Sequence, residues 1–164
     1  MATTESAAFG TELNASIERM TEHDLVEVCA IEQLSELSAW GWDAYHKELQ
    51  AGQESIMLVA RIDSTFHEMG IAGFIVARII ADELHVNNVA VRPQFRRHEI
   101  GSQLLQDSVK QAKQQGATIA RLEVRAGNHS AQRLYRRCGF EVDGRRKSYY
   151  REPTEDALLM TLAL

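Results

Sequence analysis

Apolar positions change their spacing several times along the chain, and each change marks an element. Ile17 to Met20 reads as a short strand. Thr21-Glu22-His23-Asp24 then has the form of a helix start, with Thr21 as N-cap and an acidic residue three places on. Leu25, Val28, Cys29 and Glu32 follow helical spacing, with Cys29 expected inside, and a second helical stretch is predicted from Asp43 to Gln50. Ser55 to Ile62 reads as a strand and Asp63 to Gly70 as a turn. Ile71–Ala81 and Leu84–Val91 read as an antiparallel hairpin closed by Asp82-Glu83, and Pro93 stops its second strand.

Beyond Pro93, Ile100, Leu104, Leu105 and Val109 define one face of a helix from Ile100 to Gln115, with Gly116 as its stop. Ile119 to Arg125 alternates cleanly: Ala120, Leu122 and Val124 on one face, Arg121, Glu123 and Arg125 on the other. Asn128 to Cys138 reads as a short helix stopped by Gly139. Phe140 to Val142 opens a strand, Arg145 to Pro153 reads as a polar loop, and Ala157 to Leu164 is a last apolar strand. Residues 1–15 are small and polar without a sustained period, which predicts a mobile arm before one domain spanning 16–164. Strands that precede, separate and follow the helices predict an α/β fold with a mixed, mainly antiparallel sheet.

Composition narrows the class. At 164 residues, 45% hydrophobic and 25% charged, the chain suits one globular domain. Its longest apolar run, Gly70 to Ala81, is broken by Arg78 and is too short to span a bilayer; no secretory leader is evident, and no membrane partner is expected. Two cysteines, Cys29 and Cys138, make no disulfide framework, so a cytoplasmic location is the expectation. A net charge of -5 argues against a nucleic-acid partner. The charge is uneven, however. Residues 1–91 hold 4 Lys/Arg against 15 Asp/Glu, whereas residues 92–164 hold 14 against 8, a balance that suits an anionic ligand such as a phosphorylated cofactor. The six histidines make no paired metal spacing, no metal site is expected, and no Gly-x-Ser-x-Gly elbow supports a covalent hydrolase.

Two segments carry candidate chemistry. The first runs from Val89-Ala90-Val91 through an arginine-bearing turn to Arg96-Arg97-His98-Glu99-Ile100-Gly101-Ser102. Free N–H groups and the dipole at a helix N-terminus favour a pyrophosphate, and Gly101 removes a side chain where phosphate oxygens would approach. Taken alone, the same residues read more simply as an exposed basic turn capping a helix. The second segment is Leu122-Glu123-Val124-Arg125-Ala126-Gly127-Asn128, followed by Ala131, Leu134 and Tyr135. Glu123 is either a salt-bridged surface carboxylate or a general base. Tyr135 is either core packing in the stripe Ala131, Leu134, Cys138 or the matching acid, and Asn128 is either a helix cap or a ligand group.

Taken together, this order of motifs resembles the GNAT acetyltransferases. Arg96-x-x-x-x-Gly101 is similar to that family's pyrophosphate loop, and Leu134-Tyr135-x-x-Cys138-Gly139-Phe140 to its fourth motif. The resemblance runs from about Ile17 to Leu164. It is strongest to the RimI-type enzymes, through Leu122-Glu123-Val124-Arg125-Ala126, Arg145-Arg146-Lys147-Ser148-Tyr149-Tyr150 and Glu155-Asp156-Ala157-Leu158-Leu159-Met160. It implies a single acyl-CoA N-acyltransferase domain that uses acetyl-CoA and no metal. The implied reaction is direct attack on the thioester in a ternary complex. The implied acceptor is the N-terminal alanine of small-subunit ribosomal protein number eighteen. Val89, Ala90 and Val91 would bind the pantetheine arm, Arg96 to Ser102 the pyrophosphate, and Asn128 the cofactor arm. Glu123 would be the base and Tyr135 the acid, with Trp40, Tyr149 and Tyr150 near the peptide groove. One departure stands out: Glu99 occupies the place of the loop's usual first glycine, and its side chain is expected to point to solvent. Two alternatives follow: a GNAT enzyme for other acceptors, or a non-catalytic CoA-binding module.

Overall fold

The computed structural model describes residues 13–35, 37–63 and 70–164. Most of the expected arm (residues 1–12) and of the expected turn (residues 64–69) lies outside the described residues. Seven strands form one sheet: β1 Ala15–Arg19, β2 Ser55–Ile62, β3 Ile71–Ile80, β4 Glu83–Val91, β5 Ile119–Arg125, β6 Glu141–Arg151 and β7 Thr154–Ala163. Four helices complete it: α1 Leu25–Gln33, α2 Gly41–Leu49, α3 Ile100–Gln114 and α4 His129–Arg137. The strand order is β1-β2-β3-β4-β5-β7-β6, antiparallel throughout except for β4 and β5. The mixed α/β expectation therefore holds.

Helices cover both faces. On one, Leu104, Leu105 and Ala112 of α3 and Tyr135 of α4 pack with Ile75, Leu84, Ala120 and Met160 of the sheet. On the other, Leu25, Val28 and Ile31 of α1 and Tyr45 of α2 pack with Val59, Phe74 and Ala90. Double burial explains why β2 and β3 read as continuous apolar runs rather than alternating ones. The Thr21 capping box is present, but it closes a single 3-10 turn over Glu22–Asp24 before α1 begins. Cys29 is only half-buried, at the edge of the second core.

One expectation fails clearly. Arg145 to Arg151 is not a polar loop but most of β6, paired with β7 from Glu141↔Thr161 to Arg151↔Thr154. It is the outermost strand, nearly all of its positions face solvent, and bulges shift its register between Val142 and Gly144 and between Arg146 and Tyr150. A strand without a buried face leaves no period-two signal. The last strand likewise starts earlier than expected, at Thr154.

The site is prepared by one irregularity in the sheet. The parallel pair β4–β5 lasts only from Glu83↔Ile119 to Val86↔Leu122. Beyond it, β4 stays with β3 and β5 stays with β7, so the two strands part. A bulge at the same point lets Asn88 face Val76 while Val86 faces Ala77, leaving Asn87 as the extra residue.

Candidate active site

The parting of β4 and β5 opens a cleft of about 630 Å³, bordered by Trp40, Asn88 and Val89 on one side and Glu123, Asn128, Tyr135, Tyr149 and Tyr150 on the other. Residues far apart in sequence thus meet where the parallel ladder ends. Beyond Val86 the edge of β4 that faces β5 has no ladder partner. Its backbone groups are therefore available to the amides of an extended ligand, except the Val91 carbonyl, which accepts from Arg96 Nε at 3.1 Å. Val89 borders the cleft, whereas Ala90 belongs to the core under α1 and α2.

Glu123 lies on the polar face of β5, opposite Leu159 of β7. Its Oε1 is 3.2 Å from Nη1 of Arg146, and its side chain is 30% exposed. The carboxylate also pushes the neighbouring Tyr149 phenol up from its ordinary pKa, and burial followed by the Glu123 charge does the same to Tyr150. The two rings meet edge to face at 5.2 Å, and the Arg125 guanidinium lies 4.2 Å from the centre of the Tyr150 ring. Arg125 also reaches the Glu152 and Pro153 carbonyls and Glu155, so β5 holds the β6–β7 turn directly.

Tyr135 is at once a core residue and a wall of the cleft. Its ring packs 6.2 Å from Phe140, and the residue is only 7% exposed, yet it borders the cleft. Burial, with Tyr150 and Cys138 adding to it, holds the phenol well above its ordinary pKa, so it keeps its proton at neutral pH. Asn128 is the cap of α4, accepting from the Ala131 N–H at 3.1 Å. It also borders the cleft.

The basic turn sits at the end of β4, outside the main cleft. Arg97 and Glu99 have φ of 65° and 60°. Left-handed residues at alternate positions are the backbone pattern that turns successive N–H groups into one concavity. Among the described residues no side chain caps α3, which leaves the N–H groups of its first turn to an anion. Arg96, Arg97 and His98 are exposed, whereas the Ile100 side chain is in the core and can contribute only its backbone. Ser102 is buried. Glu99 points outward as expected, 3.5 Å from Arg137 with both side chains about 60% exposed. Gly101 also has a packing role: a Cβ there would meet Leu134 Cδ2 at 3.0 Å, so the glycine lets α4 lie close against α3. Arg92, just before the turn, is buried, donating to the Ile71 carbonyl at 2.8 Å and to Glu27 at 3.1 Å.

These features fit acetyl-CoA: an open strand edge for pantetheine, an amide-lined turn at a helix start for pyrophosphate, and a carboxylate and a protonated phenol bordering one cleft. Among the described residues no cluster of three metal-ligating side chains exists, and no helix is long and apolar enough to cross a membrane.

The chain belongs to the acetyltransferase (GNAT) family, whose profile matches residues 21–140. It is an acetyl-CoA-dependent N-acetyltransferase. It is 33% identical over 150 residues to a Bacillus subtilis protein named, provisionally, ribosomal protein bS18-alanine N-acetyltransferase, covering 92% of this chain and 96% of that one. The Escherichia coli K12 protein of that name is 35% identical over 97 residues, 57% of this chain and 64% of that protein. The crystal structure of the E. coli ribosomal-protein-S18-alanine N-acetyltransferase superposes with a TM-score of 0.77 at 26% identity, over 92% of this chain and 94% of that one. Ard1 from Thermoplasma volcanium superposes with a TM-score of 0.81 at 25% identity, over 92% and 97%.

Sequence reasoning missed the partners that organise these groups: Arg146 beside Glu123, Arg125 on Tyr150, and a buried chain of Glu32, Tyr45 and Asn88 behind the cleft. Their separations follow from tertiary folding alone, and no local spacing signals them.

Proposed function

We propose that this enzyme acetylates a protein N-terminal α-amine, and that its acceptor is the N-terminal alanine of the small-subunit ribosomal protein bS18, in the cytoplasm. The observation that carries the reading is the meeting of Glu123, Tyr135, Tyr149, Tyr150 and Trp40 around one cleft where β4 leaves β5. The names of the Bacillus and Escherichia relatives support the choice of acceptor.

Acetyl-CoA supplies the acetyl group as an activated thioester. Backbone groups of Val89 to Val91 would hold its pantetheine arm, with Asn128 bonding that arm from across the cleft. A backbone N–H there would polarise the thioester carbonyl. The amides and arginines from Arg96 to Ser102 would hold the pyrophosphate. Glu123 takes the proton from the acceptor amine, through a water molecule, and Tyr135 gives a proton to the departing thiolate. The direction of each transfer is set by environment: Glu123 is half-open beside Arg146, whereas burial keeps Tyr135 protonated. A phenol's ordinary pKa of about 10 lies above a thiol's of about 8.5, so Tyr135 acts as a hydrogen-bond donor to the thiolate as the C–S bond breaks, and the proton it yields is made good by the one the attacking amine releases. An α-amine has a pKa of about 7.7–8.0 against about 10.4 for lysine, so an ordinary carboxylate base suffices for an N-terminus.

Peptides that differ only in their first residue test the acceptor. The alanine peptide is expected to show the highest kcat/KM, and intact bS18 is expected to gain one acetyl group. Equal rates across the panel, or faster lysine transfer, would replace this acceptor with a broader one.

A further inference from the structure

Behind the cleft, Glu32 of α1 is 4% exposed, and a buried carboxylate is costly unless its oxygens are hydrogen-bonded. Three donors converge on it: the Trp40 N–H at 2.6 Å, the Tyr45 hydroxyl at 2.6 Å and the Gly41 N–H at 3.2 Å. Tyr45 in turn accepts from Asn88 Nδ2 at 2.9 Å. The Trp40 ring stacks on the Tyr45 ring, with centroids 5.5 Å apart, and Phe74 meets Tyr45 edge-on from the sheet.

The arrangement solves a local problem. Position 40, the N-cap of α2, is a tryptophan and offers no side-chain cap to the helix. The first N–H groups of α2 are instead satisfied from α1, eight and nine residues upstream. Trp40 and Asn88 both border the cleft, whereas Glu32 and Tyr45 lie behind it. The chain of hydrogen bonds thus joins one wall of the cleft to β4 beside the bulge that parts it from β5.

We infer that Glu32 is a positioning residue for the acceptor. Through the Trp40 and Gly41 amides, and through Tyr45 to Asn88, it fixes the wall formed by Leu37, Ser38 and Trp40 against the strand that holds the thioester. This inference rests on the acetyl-transfer reading and adds the device that sets acceptor placement. Glu32→Gln presents an NH₂ group to a site furnished only with donors. Tyr45→Phe keeps the stacked ring and removes only the hydroxyl link.

The test uses the full chain with Trp42→Phe, so that Trp40 alone reports by fluorescence. In both variants acrylamide is expected to quench Trp40 more strongly than in the parent. The peptide KM is expected to rise about tenfold or more while acetyl-CoA affinity stays within about twofold, because a displaced wall affects acceptor placement alone. Folded variants that keep the parent's quenching or its peptide KM would overturn the inference. So would equal weakening toward both substrates, which signals general loss of structure. If Glu32→Gln does not fold, Tyr45→Phe decides. If the parent ignores N-terminal peptides but acetylates another amine, the proposed acceptor is wrong, and the same comparison with that amine still decides the role of Glu32; the quenching measurement needs no acceptor.

Discussion

At the scale of single residues, the two groups assigned to proton transfer differ in their surroundings, and this makes them testable. Glu123→Gln and Tyr135→Phe preserve size and shape, so packing changes little. Each is expected to lower kcat by about two to four orders of magnitude while acetyl-CoA still binds. Near-normal turnover in both, with chemistry rate-limiting, would return them to a salt-bridged carboxylate and a core ring. Glu99 offers a second test. Its left-handed φ of 60° costs a non-glycine residue about 1–2 kcal/mol, which glycine avoids while losing about 0.5–1 kcal/mol to backbone entropy. Its exposed pair with Arg137 is worth about 1 kcal/mol at most. Glu99→Gly is therefore expected to leave the melting temperature nearly unchanged and acetyl-CoA affinity equal or tighter, since a negative charge leaves the pyrophosphate turn. A clear loss of affinity in a titration would show that Glu99 helps to build the turn.

At the scale of elements, legibility followed burial. Ser55–Ile62 and Ile119–Arg125 stood out at their observed limits, since the first is buried on both faces and the second on one. Arg145–Arg151 did not, because β6 is exposed along its length and bulged twice. Catalytic candidates were readable because they sit in short motifs, whereas Glu32, Tyr45 and Asn88 meet only through the fold. Gly101 was readable as a special position, but its contact with Leu134 was not, since it forms only when α4 packs on α3. A Cβ there would press on the flexible end of Leu134, which opposes the roughly 0.5–1 kcal/mol that alanine gains over glycine inside a helix, so Gly101→Ala is expected to leave the cofactor-free melting temperature nearly unchanged and to weaken acetyl-CoA binding. Unchanged acetyl-CoA affinity would leave packing against Leu134 as the role of this glycine.

Asp24 gives a pH test at the same scale. Burial pushes its carboxyl up, but the Thr21 N–H and hydroxyl and the Arg61 guanidinium override this and hold it below the ordinary value. A depressed carboxyl stabilises the fold above its unfolded pKa of about 3.9, and that contribution is lost as pH falls through the folded value. Asp24→Asn is expected to be less stable at neutral pH and to lose less stability on acidification than the parent. Parallel acid-unfolding curves would contradict this.

At the scale of the whole molecule, the charge division acquires a place. The basic half supplies the turn Arg96 to Ser102, α4 and β6, while the acidic half supplies the opposite wall of the cleft, from Leu37 to Trp40 and along β4. The central claim is that this cleft delivers acetyl to an N-terminal α-amine. The most direct measurement is fragmentation mass spectrometry of an alanine-starting peptide that also contains lysine, after incubation with the enzyme and acetyl-CoA. The account predicts one acetyl group on the α-amine and none on lysine, with the product nearly abolished by Glu123→Gln. Acetyl found on lysine, or on neither amine, would contradict it.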